Sequence, residues 1–200
     1  MRRYRGPFIS VVGRARFLAT DAGASQIAEF AVALPLLLVL VVGIFDFGNA
    51  FNMKQKLTNA ARDAARFGAS QPTNDLTQTT PSSVLAIRDL VVNYLQTSKI
   101  NDCGIGTAAA TPAGGANPWQ WSFTATCPGG NSVVLTVDRG HIFASTVTTG
   151  GNPMSGIATN VTISYPYKWQ FNRVIGLLVS GASYPANSQI TVSSTLANET

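Results

Sequence analysis

The chain has 200 residues, of which 46% are hydrophobic and only 12% are charged, a balance that favours a membrane-attached protein over a soluble one. Its formal net charge is +5, but the first 22 residues hold five arginines and one aspartate and so carry +4 of it. The positive charge is therefore a terminal tag, and we expect no nucleic-acid-binding face.

An uninterrupted apolar run follows this basic segment. No polar side chain occurs from Ala31 to Phe45, and a helix over residues 27–47 would be about 31 Å long, which matches a hydrocarbon core of about 30 Å. Because arginines beside such a run are retained in the cytoplasm, the sequence predicts a single span with its N-terminus inside. A cleaved signal ending at residues 48–50 is the alternative, but the apolar run is too long for one and the helical pattern continues beyond it.

The helical pattern runs on to Ala69. Small and apolar residues recur there at helical spacing, with charged residues between them, so we expect one continuous helix over residues 27–69, about 65 Å long. Ala60, Ala64 and Gly68 form a stripe of small residues at four-residue intervals. Such a stripe lets a second helix approach closely, or it docks on the globular part of the same chain, and the sequence favours neither.

One stretch of the chain resembles a known family. The 47 residues GASQIAEFAVALPLLLVLVVGIFDFGNAFNMKQKLTNAARDAARFGA are similar to the N-terminal signature of TadE-like proteins, which are pseudopilin-like or minor-pilin components of bacterial tight-adherence (Flp-type) pilus systems. The matching elements are Glu29-Phe30, Pro35, Asp46-Phe47 and the Ala-Ala-Arg triplets at 60–62 and 64–66. The resemblance implies a pilin-like fold, and as partners it implies a prepilin peptidase, membrane lipid and other pilin-like or TadE-, TadF- or TadG-like subunits.

The resemblance also implies a role for the glutamate at the start of the span. In pilin-like proteins a peptidase removes the basic leader, and a glutamate near the new N-terminus compensates the amino charge of a neighbouring subunit during assembly. Glu29, followed by Phe30, matches that position, and two opposite charges about 4 Å apart attract by about 4 kcal/mol at an effective dielectric of about 20, before desolvation is subtracted. Alternatively, Glu29 simply lies solvated at the level of the lipid headgroups.

The cleavage site implied by the resemblance is ambiguous by one bond. The family glutamate is usually the fifth residue of the mature chain, and glycine usually precedes the cut. Cleavage after Gly23 would make Glu29 the sixth residue, whereas cleavage after Ala24 would make it the fifth, with Ser25 first. Both products lose nearly all of the leader.

Residues 70–200 are expected to form an extracytoplasmic α+β domain, after a leader over residues 1–24 and a helical segment over residues 25–69. Residues 71–83 are rich in Pro, Thr, Asn and Ser, which predicts a linker. A helix capped by Ser82 or Ser83 and continuing through Lys99 should follow it. The Gly- and Pro-rich residues 107–118 predict a mobile surface loop.

The hydrophobic period then changes from 3.6 to 2. Residues 119–126 and 133–137 alternate on either side of Pro-Gly-Gly-Asn, which predicts a hairpin. The alternation recurs at 161–165 and 190–192, so we expect about four strands, antiparallel in part, packed on the long helix. Between them, residues 171–181 place Phe171, Val174, Ile175 and Leu178 on one helical face, which suits a membrane surface, a subunit contact or the core.

Cys103 and Cys127 are the only cysteines, and both fall on the expected outer side. An even pair in an oxidising compartment predicts a disulfide, which would stabilise the fold by about 3.5 kcal/mol through a loop of about 25 residues. A zinc site would need further ligands, and the single histidine, His141, is expected in a turn that begins at Asp138. We predict no metal and no cofactor.

Catalytic patterns are lacking in the sequence: there is no phosphate-binding glycine loop, no metal-type His-Glu spacing and no positioned base for a serine. The sequence therefore predicts a protein that is not an enzyme. Two hypotheses remain, an assembly component of an adhesion pilus and a constitutive single-pass envelope protein whose outer domain binds a ligand. An aromatic cleft lined by Trp119, Trp121 or Trp169 would favour the second hypothesis.

Overall fold

The structure is a computed structural model. It describes residues 22–115, 117–149, 152–171, 176, 181 and 188–199. The chain divides into two compact units, residues 1–46 with 171–183 and residues 47–170 with 184–200. The apolar face predicted at Val174, Ile175 and Leu178 lies outside the described residues.

The long N-terminal helix predicted from the sequence is present as α1, Ala22–Ala69, a single helix of 48 residues that contains Pro35. It is long and apolar enough to cross a membrane, with a mean hydropathy of 2.6 over its most apolar 18 residues. Of the described side chains from Gln26 to Asp46, only those of Val42 and Asp46 are buried. The first half of α1 therefore has the character of a membrane span, and the chain fits a single-pass membrane protein.

The second unit is a helix-on-sheet domain. After α1 come α2 (Ser82–Thr97), a 3₁₀ turn (Ile105–Thr107), β1 (Thr111–Gly114), β2 (Asn117–Thr126), β3 (Ser132–Thr149), β4 (Asn152–Pro166) and β5 (Gln189–Ala197). The strands form one sheet in the order β1-β2-β3-β4-β5, and every neighbouring pair is antiparallel. This α+β architecture confirms the fold class predicted from the sequence.

The period-two alternation explains how the sheet packs. Trp121 pairs with Val137 and Phe123 with Leu135 across the predicted β2–β3 hairpin, and all four are buried on one face. This face packs on the small-residue side of α1 and on the apolar side of α2. Alternate residues on the other face stay accessible, as expected for a sheet with one covered face.

The surface loop predicted over residues 107–118 is wrong in part, because β1 lies inside it. Thr111 pairs with Ser122 and Pro112 with Trp121. The four residues of β1 are all exposed, so no alternation marks them in the sequence. A strand that contains proline is tolerated at a sheet edge, where the missing N–H breaks no ladder.

The turn predicted at Asp138–His141 is also wrong. These residues lie within β3, at a register irregularity between Asp138 and His141. Asp138 Oδ1 accepts a hydrogen bond from Gly140 N at 3.0 Å, so the turn-type contact that the sequence suggested is made inside a bulge. Glycine is required at 140 because an added Cβ would lie 2.6 Å from Cε3 of Trp119.

The start of α2 is held differently from the prediction. Pro81 occupies the cap position and provides no side-chain bond. Asp75 of the preceding loop caps the helix instead: its Oδ2 accepts from Ser83 N at 2.7 Å and from Ser82 Oγ at 3.2 Å. The helix ends at Thr97, two residues before the predicted end.

Candidate functional site

The start of α1 carries the residues that the resemblance singles out. Gly23, Ala24 and Ser25 belong to its first turn. Glu29 is exposed, and Phe30 is 61% exposed. The first turn of the helix and this acidic-aromatic pair thus lie on one continuous element.

Glu29 lies at the edge of the apolar surface. Together with Val32, Ala33 and Leu36 it lines a shallow groove along the helix, since residues three, four and seven positions apart share a face. Small side chains beside larger ones give the groove its depth. The helix therefore presents a carboxylate next to apolar surface that a membrane or another apolar helix would cover.

Asp46 differs from every other described side chain of the span because it is both acidic and fully buried. Its Oδ2 accepts a hydrogen bond from the backbone N–H of Phe171 at 3.2 Å. A buried carboxylate is costly unless it is hydrogen-bonded, so this contact fixes Phe171 against α1. The sequence shows Asp46 as a single acidic residue directly after a long apolar run, but it does not identify the hydrogen-bond partner of this residue.

An aromatic cluster lies in the second unit. The ring of Trp169 contacts Phe47 edge-on, with centroids 5.5 Å apart, and Tyr167 at 5.1 Å. Its Nε1 donates to Ser188 Oγ at 2.7 Å. Aromatic pairs in this geometry stabilise by about 0.5–1.5 kcal/mol beyond their burial, which gives Phe47 of the family motif a structural role.

The three tryptophans do not share an aromatic cleft. Trp121 is 1% exposed and donates its Nε1 to Thr79 O at 3.1 Å. Trp169 belongs to the aromatic cluster, and Trp119, 40% exposed, lies on Gly140. Within the described residues, Trp121 and Trp169 thus line no ligand cleft, whereas Trp119 lines a pocket between the 71–77 loop and β3.

The stripe of small residues docks on the chain's own domain, which is the second of the two alternatives. Ala60, Ala64 and Gly68 are all buried. A Cβ added to Gly68 would lie 2.7 Å from Thr159 Cγ2 and 2.9 Å from Ile87 Cδ1. The stripe thus lets α1 approach α2 and β4 closely and is already occupied.

Cys103 and Cys127 form a disulfide in the structure, with Cα atoms 4.7 Å apart. It ties the turn after α2 to the end of β2. Tyr165 lies nearby and donates its hydroxyl to Asn101 O at 2.8 Å; burial, and secondarily the charge of Asp102, raises the pKa of Tyr165. These contacts brace the end of the domain at which β2 turns into β3.

The described residues contain no group of three or more His, Cys, Asp or Glu side chains that could hold a metal ion together. The features that remain are a long apolar helix with an acidic-aromatic start, and an antiparallel sheet that buries the helix's second half. They define the class of a single-pass membrane protein with a small α+β domain.

Residues 24–66 match the family model of TadE-like protein, which confirms the resemblance stated from the sequence. The matched segment lies entirely within α1 and includes Glu29, Asp46 and Ala64. Neither the curated proteins nor the solved structures give a significant match to this chain. The family match indicates a role in tight-adherence pilus systems, in which TadE-like proteins are structural rather than catalytic.

Proposed function

We propose that this protein is a peptidase-processed, pseudopilin-like component that assembles a tight-adherence (Flp-type) pilus or its secretion apparatus. The observation that carries the proposal is the TadE-like match over residues 24–66, on a helix whose apolar first half is almost wholly exposed. Lipid would cover this surface before assembly, and neighbouring subunits would cover it afterwards. Assembly of a pilin-like filament requires a membrane helix that can leave lipid and pack against other subunits.

The leader would be removed on the cytoplasmic side of the inner membrane, at Gly23 or Ala24, with the domain outside. The arginines before Asp21 would hold the leader inside. Cleavage would leave Ala24 or Ser25 as the new N-terminus, one to two helical turns before Glu29. A prepilin peptidase is therefore the first partner.

Glu29 and Phe30 would act at the subunit contact. The carboxylate borders an apolar groove, so a neighbouring α-amino group docked there would be partly desolvated. Water screens a charge pair less in such a place, and the attraction rises above that of an exposed pair. We propose that Glu29 selects and orients the neighbouring subunit while Phe30 packs on it.

The partners of this surface would be other pilin-like or TadE-, TadF- or TadG-like subunits. The small stripe at Ala60, Ala64 and Gly68 is buried within the domain and is not available to them. The contact would therefore use the apolar first half of α1, together with lipid.

The test is the substitution Glu29→Gln in the full chain expressed in its own cells. A cysteine placed at Ile27, which is 72% exposed, reports the subunit contact by cross-linking, since the native cysteines are paired with each other. We expect the neutral residue to lower cross-linking and pilus yield at least about tenfold, which corresponds to about 1.4 kcal/mol.

The matched control is Asp63→Asn, which neutralises another exposed acid of the same helix and should leave both readouts unchanged. Equal yields from Glu29→Gln and the wild type would mean that Glu29 is merely solvated at the headgroups. If the Ile27→Cys chain with Glu29 unchanged gives no cross-linked partner, the chain is a constitutive envelope anchor, the competing hypothesis.

A further inference from the structure

A pocket in the second unit is lined by no residue of α1. It has a volume of about 860 Å³ and lies between the 71–77 loop, the bulged part of β3, β4 and the end of β5. All of its lining residues belong to the second unit. Its size is within the range of small-molecule sites, about 300–1,000 Å³.

Arg139 lines this pocket and is fully buried. Its Nη2 donates to Gln71 O at 2.8 Å, whereas Nε and Nη1 are buried without a hydrogen-bond partner. A guanidinium offers five N–H donors, and leaving buried charged donors unpaired destabilises the fold. Arg139 is therefore a cation that lacks acceptors.

Asp75 does not supply the missing acceptor. Its oxygens are engaged with Ser82 and Ser83 at the start of α2, and it forms no ion pair with Arg139 within the part of the chain described. Burial lowers the pKa of Arg139, and the charge of Asp75 raises it. The guanidinium remains charged at neutral pH, because an arginine is not deprotonated in proteins.

Much of the remaining wall is apolar, and polar side chains of the 71–77 loop and Asn198 line the rest of the pocket. Trp119 and Ile157 line it with 40% and 49% of their surfaces exposed, and Leu76 and Phe143 add apolar wall. Glu199 also lines it and is exposed, so its charge is well solvated. The buried Arg139 beside apolar wall, with Glu199 at the rim, is complementary to a singly charged anion that carries an apolar group.

We propose that this pocket binds a carboxylate carried on an apolar or aromatic group. The carboxylate accepts from Nε and Nη1 of Arg139, because the planar guanidinium matches carboxylate geometry. The apolar body lies against Trp119 and Ile157. Phosphate fits less well, since Asp75 and Glu199 repel its second charge.

A small free carboxylate and the chain end of a polypeptide share this chemistry. In both cases the carboxylate reaches the buried Nε and Nη1 of Arg139 by displacing exposed residues of the 71–77 loop. Neither contact uses α1, so the site is independent of the proposed pilus function.

The experiment is ligand-observed NMR titration of the full chain in a neutral detergent, with 3-phenylpropionate as the probe. Its amide, 3-phenylpropanamide, keeps the shape and removes the charge, and inorganic phosphate tests for a general anion site. We expect saturable binding of the carboxylate, and binding of the amide and of phosphate weaker by about tenfold or more, as for loss of a charged hydrogen bond.

Arg139→Gln removes the cation and should abolish saturable binding of 3-phenylpropionate. Variants of Ile157 keep the test valid if Arg139→Gln does not fold. Ile157→Glu places a negative charge at the pocket mouth, and Ile157→Gln is its neutral match. The charge should weaken binding of 3-phenylpropionate about fivefold or more relative to Ile157→Gln. Ile142→Glu is the control, because Ile142 pairs with Ile157 across the strands and is 71% exposed but does not line the pocket; its affinity should fall less than that of Ile157→Glu, because the charge lies farther from the ligand.

A second titration identifies the source of the carboxylate. An N-acetylated dipeptide ending in phenylalanine that binds more tightly than 3-phenylpropionate would indicate a polypeptide end, and equal affinity would indicate a small molecule. Failure of both carboxylates to saturate the protein, equal affinity for acid and amide, or equal affinity of Ile157→Glu and Ile157→Gln would overturn the proposal. In any of these cases Arg139 would serve only to hold the 71–77 loop through Gln71.

Discussion

Replacing Gly68 by alanine tests how α1 docks on the domain. The new Cβ would lie 2.7 Å from Thr159 Cγ2 and 2.9 Å from Ile87 Cδ1, whereas carbon atoms in contact prefer about 3.5–4.0 Å. Overpacking of this kind costs about 1–3 kcal/mol. Alanine recovers less than the roughly 1 kcal/mol that it gains over glycine in a helix interior, because Gly68 is the penultimate residue of α1. We expect a net loss of about 1–2 kcal/mol of unfolding free energy.

The assay is urea unfolding of the full chain in detergent, followed by tryptophan fluorescence, to which the buried Trp121 contributes. Gly48→Ala is the matched control, because a Cβ there meets nothing within 4 Å, and it should stabilise by up to about 1 kcal/mol. Thr159→Ser removes the clashing Cγ2 and keeps the Oγ–Asn198 Oδ1 hydrogen bond, which is 2.6 Å long. In this background Gly68→Ala should cost at least about 0.5 kcal/mol less, which a double-mutant cycle measures. The close packing of α1 on the domain would be refuted if Gly68→Ala stabilised the protein as much as Gly48→Ala does. It would also be refuted if the double-mutant cycle of Gly68→Ala and Thr159→Ser showed no coupling.

Two further predictions concern the same domain. Burial raises the pKa of Asp75, but its hydrogen bonds with Ser83 and Ser82 outweigh this effect and hold the pKa below its ordinary value of 3.8. Its ionised form therefore stabilises the fold above about pH 4, and this contribution is lost as pH falls through the lower, folded pKa. Asp75→Asn should be less stable than the wild type at pH 7 by about 0.5–1 kcal/mol of unfolding free energy. The urea midpoints of the variant and the wild type should converge as the pH is lowered toward 2. A difference in midpoint that stays constant with pH would contradict the capping role of Asp75. Replacing Cys103 and Cys127 together by serine should destabilise by about 3.5 kcal/mol, given a sequence separation of 24, and reduction of the wild type should lower the thermal midpoint equally. A midpoint unchanged by reduction would show that the disulfide contributes nothing.

Elements with a strong local pattern were predictable. The apolar run and the helical spacing after it gave α1 to within five residues at its start and to the exact residue at its end, Ala69. The hairpin of β2 and β3 follows from strict alternation across Pro-Gly-Gly-Asn, and the same alternation located β4 and β5. In each case the spacing of apolar residues within the element itself indicates which face is buried.

Features that depend on distant residues were not predictable. The cap of α2 comes from Asp75 rather than from an adjacent serine, and the partner of Asp46 lies 125 positions along the chain. Arg139 looked like part of a turn because Asp-Arg-Gly is a turn sequence, yet the sheet continues through it as a bulge. Local propensity was overridden there by pairing with β4. The pocket behind Arg139 was missed for the same reason.

The most direct test of the pilin-like role is the N-terminal residue of the mature protein. Intact-mass and N-terminal peptide analysis of the membrane-bound chain would be compared between cells with and without their prepilin peptidase. The proposal predicts a start at Ala24 or Ser25 only when the peptidase is present. A chain that keeps its arginines in both strains would contradict processing and indicate a static anchor, and a start at Phe51 would mean an exported domain without a membrane helix.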